Sequence, residues 1–355
     1  MTSPRHPILI LGAGYGSLFA IKCLMAGHPV TLCCTADEAT TLGRDGLKVR
    51  FPLARPSGHT VVESRRLGAP LTASVPDDVD PAPADLVVLA MQEPHYSEPG
   101  VRELFGRIGA TSRPCLSIMN LAPPPFLARL PGIDVGALAD CYREPALWDA
   151  LAPANVTHAS PDPQATRRPD GVLDVGLASN FWIAPFEHEA ANRTLRTLAR
   201  DVADVRVPSP DGPGRVPVRL AVSDSPYRPL AKWPMLMAGN YRCLTAGSVR
   251  SIGDAVVADA GAAREVYEWV ADLCRLLGAS RRDLVPFESY SRAAATLGKP
   301  SSVARAVAGG AVRVERTDRL IQRLAGQRGR RLAALDAVVA TLDARLAANR
   351  HPAHN

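Results

Sequence analysis

Lysine is nearly absent from this 355-residue chain: Lys22, Lys48, Lys232 and Lys299 are the only four among 41 basic residues. Arginine keeps its charge at any physiological pH, whereas a partly buried lysine is able to release its proton. A lysine retained against this bias therefore marks a place where a transferable proton is wanted. Paired cysteines are also lacking. Cys23, Cys33, Cys34, Cys115, Cys141, Cys243 and Cys274 include no C-x-x-C pair and no Cys/His ligand spacing. Most sit in apolar segments where they pack as small hydrophobes, so neither disulfides nor metal are expected. No apolar run approaches the ~18–20 residues of a membrane span, and no cleavable signal region precedes the first apolar stretch, so a cytoplasmic protein without membrane contact is expected. Charge of one sign is never concentrated: the net charge of +6 is spread out, and the arginines from Arg313 to Arg331 are interrupted by Glu315 and Asp318. That excludes a nucleic-acid arm and suits an anionic small molecule.

With 46% apolar residues the chain is globular, and its length exceeds what one core organises, so two domains are expected. Pro7-Ile-Leu-Ile-Leu11 reads as a strand that breaks into Gly12-Ala-Gly14-Tyr15-Gly16-Ser17. Gly12 suits the tight turn and Gly14 leaves room for a pyrophosphate against bare backbone. Phe19–Gly27 reads as a helix whose N–H groups face that anion, and Pro29–Cys33 resumes as a strand. This is a βαβ dinucleotide-binding opening. Ser17 stands where the third glycine of G-x-G-x-x-G falls, and is small enough for helix and strand to approach.

Further on, Thr60–Val62, Asp85–Met91 and Pro114–Asn120 read as strands, the last two ending in polar residues where open α/β sheets bind ligands. Val172–Ala178 and Asn180–Ala184 follow as strands, then a helix over Ala190–Asp204 and a loop at Pro208–Gly214. From Arg228 the periodicity is helical: Leu230–Leu244, Gly261–Leu277, Ser302–Ala308, Arg316–Leu324 and Arg331–Ala348. The last helix carries Leu332, Leu335, Val339, Leu342 and Leu346 on one face, as a packing or homodimer helix would. The expected division is a Rossmann-type doubly wound α/β domain over residues 1–220 and an all-helical substrate or dimerisation domain over 221–355.

In order along the chain, Gly12-Ala-Gly14-Tyr15-Gly16, Gly46-Leu-Lys-Val49, Asp85–Met91, Asn120, Lys232 with Asn240, the Glu265…Leu277-Gly278 helix, and Ser301-Ser302 with Glu315 resemble ketopantoate reductase (2-dehydropantoate 2-reductase) and its two-domain relatives. The resemblance implies that Lys232 is the general acid and that Asn120, Asn240, Ser301, Ser302 and Glu315 hold substrate; the expected cofactor residues are Gly12, Gly14, Tyr15, Gly16 and Ser17 of the glycine turn, Thr35 after the second strand, and Gln92. It also has departures. Gln92 stands where the family has lysine, Leu236 replaces an asparagine one turn after Lys232, and the Asn-Gly strand end becomes Asn120-Leu-Ala-Pro-Pro-Pro125. These imply a divergent member with a less polar substrate than ketopantoate.

Read without the family, hydride delivery to a carbonyl makes an alkoxide, and a positioned proton-donating cation completes the reduction. Lys232 and Asn240, eight residues apart in an apolar setting, place such a cation and an amide two turns apart on a helix. Each residue also has a plainer role: Lys232 as a solvated lysine, Asn120 as a turn former, Ser301 and Ser302 as helix caps, Glu315 as a surface carboxylate. His95 lies near the expected cofactor region. After the second strand the ribose-binding acid is missing, and Leu32-Cys33-Cys34-Thr35 stands there. Thr35 and Arg44 suit a 2′-phosphate, so NADP is expected ahead of NAD. An opine-type, imine-reducing dehydrogenase and a non-catalytic dinucleotide-binding protein are the alternatives. The first relies on a histidine in the helical domain, and none lies between Pro217 and Arg350.

Overall fold

The computed structural model describes residues 5–53, 58–160, 165–175, 179–207, 212–216 and 218–351. The chain forms two compact units: residues 1–91, 95–119 and 146–224, and residues 92–94, 120–145 and 225–355. The second unit thus includes 120–145, which a single division near residue 220 assigns to the first.

In the first unit, β1 (Ile8–Leu11) and β6 (Leu86–Leu89) consist wholly of buried aliphatic side chains, as strands covered on both faces require. They lie at the centre of an eight-stranded sheet. To one side of β1 are β2 (Val30–Cys33) and β5 (Leu71–Ser74). Beyond β6 follow β7 (Cys115–Ser117), β8 (Val156–Ser160), β11 (Ser179–Ile183) and β14 (Val218–Val222). From β5 to β8 every neighbouring pair is parallel, β11 runs antiparallel to β8, and β14 runs parallel to β11. The strand order reverses between β1 and β6, and ligands of such sheets bind where the carboxyl ends diverge. The doubly wound α/β expectation holds.

Helices α1 (Tyr15–Met25), α2 (Ala36–Asp45), α3 (Pro99–Thr111) and α5 (Glu189–Asp204) belong to this unit, whose core gathers Ile10, Phe19, Leu32, Phe181 and Leu198. Burial of side chains of this size contributes about 1.5–3 kcal/mol each. A second sheet has the order β4 (Gly58–Glu63), β3 (Lys48–Leu53), β10 (Leu173–Val175), β9 (Ala165–Arg167). A two-stranded ribbon joins β12 (Arg206–Val207) and β13 (Gly214–Arg215). The expected strand over 172–178 is β10, and residues 176–178 lie outside the described part, as do 208–211 of the expected loop.

The second unit is helical: α4 (Pro124–Leu127), α6 (Lys232–Met235), α7 (Ile252–Val257), α8 (Ala260–Leu276), α9 (Phe287–Ala294), α10 (Ser302–Ala308), α11 (Thr317–Gln327) and α12 (Ala333–Arg350). Leu335, Val339, Leu342 and Leu346 of α12 are buried within the unit, against α11 among others, so the apolar stripe is a packing face of this chain. The single helix expected over Leu230–Leu244 is broken. A 3₁₀ turn (Arg228–Ala231) precedes α6, and a π turn (Leu236–Asn240) and a 3₁₀ turn (Tyr241–Cys243) follow it. Pro229 and Pro234 withhold backbone donors there. Gly239 lies so close to the Tyr290 hydroxyl that a Cβ would collide with it. Among the described residues no helix is long and apolar enough to cross a membrane, and all seven cysteines are buried.

Candidate active site

The glycine turn lies at the switch point of the large sheet. Gly12 adopts φ +106°, and a Cβ there would stand 2.6 Å from Met91 Cγ and 2.9 Å from the Ala90 oxygen, so only glycine fits. Gly14 is exposed at the start of α1, with nothing within 4 Å of the place a Cβ would occupy. The expected assignment of the close-packing role to Ser17 is corrected by Gly16, whose Cβ would stand 2.7 Å from Ile10 Cγ2 and 3.2 Å from Ala90 Cβ. Gly16 is the glycine that lets α1 approach β1 and β6, one residue earlier than the motif spacing predicts. Ser17 is fully buried beside it, its hydroxyl donating to the Ala13 carbonyl. Tyr15 opens α1, and its side chain lies outside the described part. An open, donor-bearing helix start with bare backbone fits the pyrophosphate of a dinucleotide.

The carboxyl end of β2 departs from expectation. Thr35 caps α2, accepting from the Glu38 N–H at 3.3 Å, while the Glu38 carboxylate accepts from the Thr35 N–H at 3.1 Å and its hydroxyl at 3.0 Å. Arg44 is at the other end of α2, paired with Asp45 at 2.8 Å. The Thr35 hydroxyl is thus engaged by a carboxylate, and the Arg44 guanidinium lies at the far end of α2. The Glu38 carboxylate thus stands beside the strand end, a placement that sequence spacing does not display because it arises from capping.

In the second unit, one small cavity of about 20 Å³ is lined by Gln92, Asn120, Leu236, Asn240, Tyr241, Ser302, Val303, Val314 and Glu315. Five of the expected polar residues, from five separate chain segments, thus meet in one place. The volume holds about one water, so a larger occupant requires its lining side chains to move. Gln92, expected at the cofactor, is one of the cavity's walls.

Glu315 is buried, and its two oxygens accept the N–H of Glu93 at 3.3 Å and of Asn120 at 3.2 Å. Burial pushes its carboxyl up to about 7, although bonds from the Asn120 backbone, the Glu93 backbone and the Asn120 side chain favour the ionised form. The Glu93 charge adds to the rise. Glu93, unremarked in the sequence, is itself buried and accepts the Arg143 N–H at 3.0 and 3.2 Å. Tyr241 donates to the Glu315 carbonyl at 3.1 Å. The surface-carboxylate role for Glu315 is thereby excluded.

Ser301 is the N-cap of α10: its hydroxyl accepts from the Ala304 N–H at 3.2 Å and donates to the Asn240 carbonyl at 2.7 Å. It anchors the backbone of Asn240, while Ser302 lines the cavity. Lys232 is half-buried on α6, one turn before Leu236. At 3.6 residues per turn, the eight residues to Asn240 overshoot two turns by about 80°. A wider i→i+5 turn spans Leu236–Asn240, and such a turn advances through a smaller angle per residue than an α-helix.

Other titratable groups have different roles. His158 on β8 is fully buried with Nδ1 3.4 Å from Ser117 Oγ, and burial pushes it down to about 3, leaving it a neutral core residue. His95 is exposed on a 3₁₀ turn. Lys22 is 1% exposed on α1, and burial brings it down to about 8.

No protein-family model matches the chain, and no curated protein matches its sequence. Solved structures do match in fold. A PanE/ApbA family ketopantoate reductase from Ralstonia eutropha JMP134 superposes with a TM-score of 0.65 at 18% identity, over 97% of this chain and 100% of that one. A 2-dehydropantoate 2-reductase from Methylococcus capsulatus gives 0.64 at 14% identity, over 94% of each chain. D-mandelate dehydrogenase in ternary complex with NADH and anilino(oxo)acetate gives 0.65 at 14% identity, over 97% of this chain and 99% of that one. The class these likenesses define is that of Rossmann-type chains with a helical C-terminal part. More particularly, the fold is that of the ketopantoate reductases.

Proposed function

We propose that this protein is a divergent relative of the ketopantoate reductases, reducing the carbonyl of a 2-oxo acid or related small molecule with a nicotinamide dinucleotide. The observation that carries the proposal is the meeting of Gln92, Asn120, Asn240, Ser302 and Glu315 around one cavity, with Lys232 one turn from its Leu236 wall. When bound, the reduced nicotinamide supplies hydride to the carbonyl carbon. The chain supplies the rest. The open backbone at Gly14 holds the pyrophosphate, and Glu38 favours NADH over NADPH. Asn120 and Asn240 offer amides to substrate oxygens. Lys232 Nζ donates a proton to the oxygen that becomes the hydroxyl. Leu236 in the lining supports a substrate less polar than ketopantoate. The absence of histidine between Pro217 and Arg350 counts against imine reduction by a histidine mechanism.

The test is oxidation of NADH and NADPH, followed by absorbance, against 2-oxo acids with aliphatic and aromatic side chains, ketopantoate, and amino acid/oxo acid pairs. Turnover with a 2-oxo acid supports the proposal. Tight dinucleotide binding without turnover on any of them would favour a non-catalytic binding protein.

A further inference from the structure

Arg167 ends β9, the edge strand of the second sheet, and reaches the glycine turn some 150 residues away in sequence. Its Nη2 donates to the Ala13 carbonyl at 2.9 Å and to Ser17 Oγ at 3.3 Å, and its Nη1 donates to the Gly171 carbonyl at 3.1 Å. The residue is exposed, and among the described residues no carboxylate pairs with it. Its neighbour Arg168, by contrast, pairs with Asp170. A guanidinium has five N–H groups, so donors remain after these three bonds.

The placement is electrostatically unfavourable for the chain alone. The first turn of α1 already carries the positive end of a helix dipole, and a second positive charge there is repelled rather than welcomed. The arrangement is favourable once an anion sits at the helix start, because both fields then act on the same group. Gly14, exposed and with open space beside it, is where such an anion has room. The bonds to Ala13 have a second consequence. A trans peptide points its C=O and N–H in opposite directions, so anchoring the Ala13 carbonyl on Arg167 and Ser17 turns the Gly14 N–H away from them.

We infer that Arg167 is the cationic member of the phosphate cradle: it contributes charge to a bound dinucleotide's diphosphate and holds the Gly14 N–H in position for it. This rests on the dinucleotide reading above and adds a residue that lies outside the glycine motif.

Calorimetric titration of purified protein with NADH and with ADP-ribose, at low and moderate salt, tests it in wild type, Arg167→Gln and Arg167→Lys. Glutamine retains a donor for the Ala13 carbonyl but not the charge, and lysine retains the charge. The expected result is roughly 10- to 100-fold weaker binding of both ligands in Arg167→Gln. Its salt dependence should be shallower, substantial affinity should return in Arg167→Lys, and the ligand-free Tm should stay level or rise as repulsion is removed. Wild-type affinity in Arg167→Gln overturns the inference alone. Equal losses in both variants with a lowered ligand-free Tm also overturn it, since the side chain then only braces the loop. Failure of the wild type to bind either ligand overturns the dinucleotide reading and this inference with it.

Discussion

Glu38 folds back over the first turn of α2 to accept hydrogen bonds from both the N–H and the hydroxyl of Thr35, at 3.1 and 3.0 Å. A carboxylate is thereby fixed at the carboxyl end of β2, where dinucleotide-binding sheets read the adenosine ribose. A 2′-phosphate would share that corner with a negative charge, whereas a ribose diol would find an acceptor. On that placement we predict the opposite of the order expected from sequence, which puts NADPH ahead of NADH. NADH should bind at least tenfold more tightly, about 1.4 kcal/mol. Glu38→Gln should narrow the gap by strengthening NADPH. Equal wild-type affinities for the two would mean that this carboxylate does not read the ribose.

Gly14 and Gly16 separate open space from close packing within one turn. A methyl at residue 16 would stand 2.7 Å from Ile10 Cγ2, so Gly16→Ala should destabilise the protein by about 1–3 kcal/mol through overpacking. Gly14 faces open space, so Gly14→Val should leave Tm nearly unchanged yet abolish dinucleotide binding by filling the room for the pyrophosphate. Thermal unfolding and NADH titration of the two variants read the difference. The opposite pattern would place the cradle elsewhere.

The same turn marks how far the sequence is legible. Its strand, glycines and helix are contiguous, and contiguity is what a sequence displays directly. Which glycine packs and which stays open depends on Ile10 and Ala90 crossing beneath α1, and spacing alone assigns that role to Ser17. Arg167 is unreadable for the same reason, since a long-range contact made from another sheet leaves no local pattern. In the helical unit, Asn120, Asn240, Ser302 and Glu315 are legible through their order along the chain, while the π turn that interrupts the helix between Lys232 and Asn240 is not. Scarcity of lysine singles out four positions, and among them Lys22 acquires a loosened proton by burial in a core rather than at the candidate site. Ser301 displays the limit in another form, because a helix cap and a ligand contact call for the same hydroxyl.

Glu315 gives a signature in stability against pH. Its carboxyl titrates near 4.5 when unfolded and at about 7 when buried among Asn120 and Glu93. Between those values the folded form holds the extra proton, so this contribution to stability is fully present below the unfolded pKa and is lost as pH rises through the folded one. Wild-type Tm should carry a falling component between pH 5 and 8, and Glu315→Gln should remove it. His28, whose pKa burial lowers, contributes with the opposite sign, so the informative quantity is the difference between variant and wild type. Parallel Tm profiles would show that Glu315 ionises alike in both states.

Lys232 is the sharpest test of mechanism. If its Nζ protonates the nascent alkoxide, Lys232→Ala should lower kcat by roughly 10²–10⁴ and leave NADH affinity nearly intact. Lys232→Arg should recover little, because a guanidinium keeps the charge but does not release its proton. That contrast separates proton donation from attraction of an anionic substrate, which arginine would preserve. Leu236 lies one turn further along and lines the cavity, so Leu236→Asn adds an amide to the wall that Asn240 and Asn120 share. A gain of ketopantoate reduction in that variant, measured as kcat/KM, would identify the face on which substrate lies. Near-full turnover in Lys232→Ala on a verified substrate would instead assign the proton to another donor, and the buried Glu315 carboxyl, titrating at about 7, would be the next to replace.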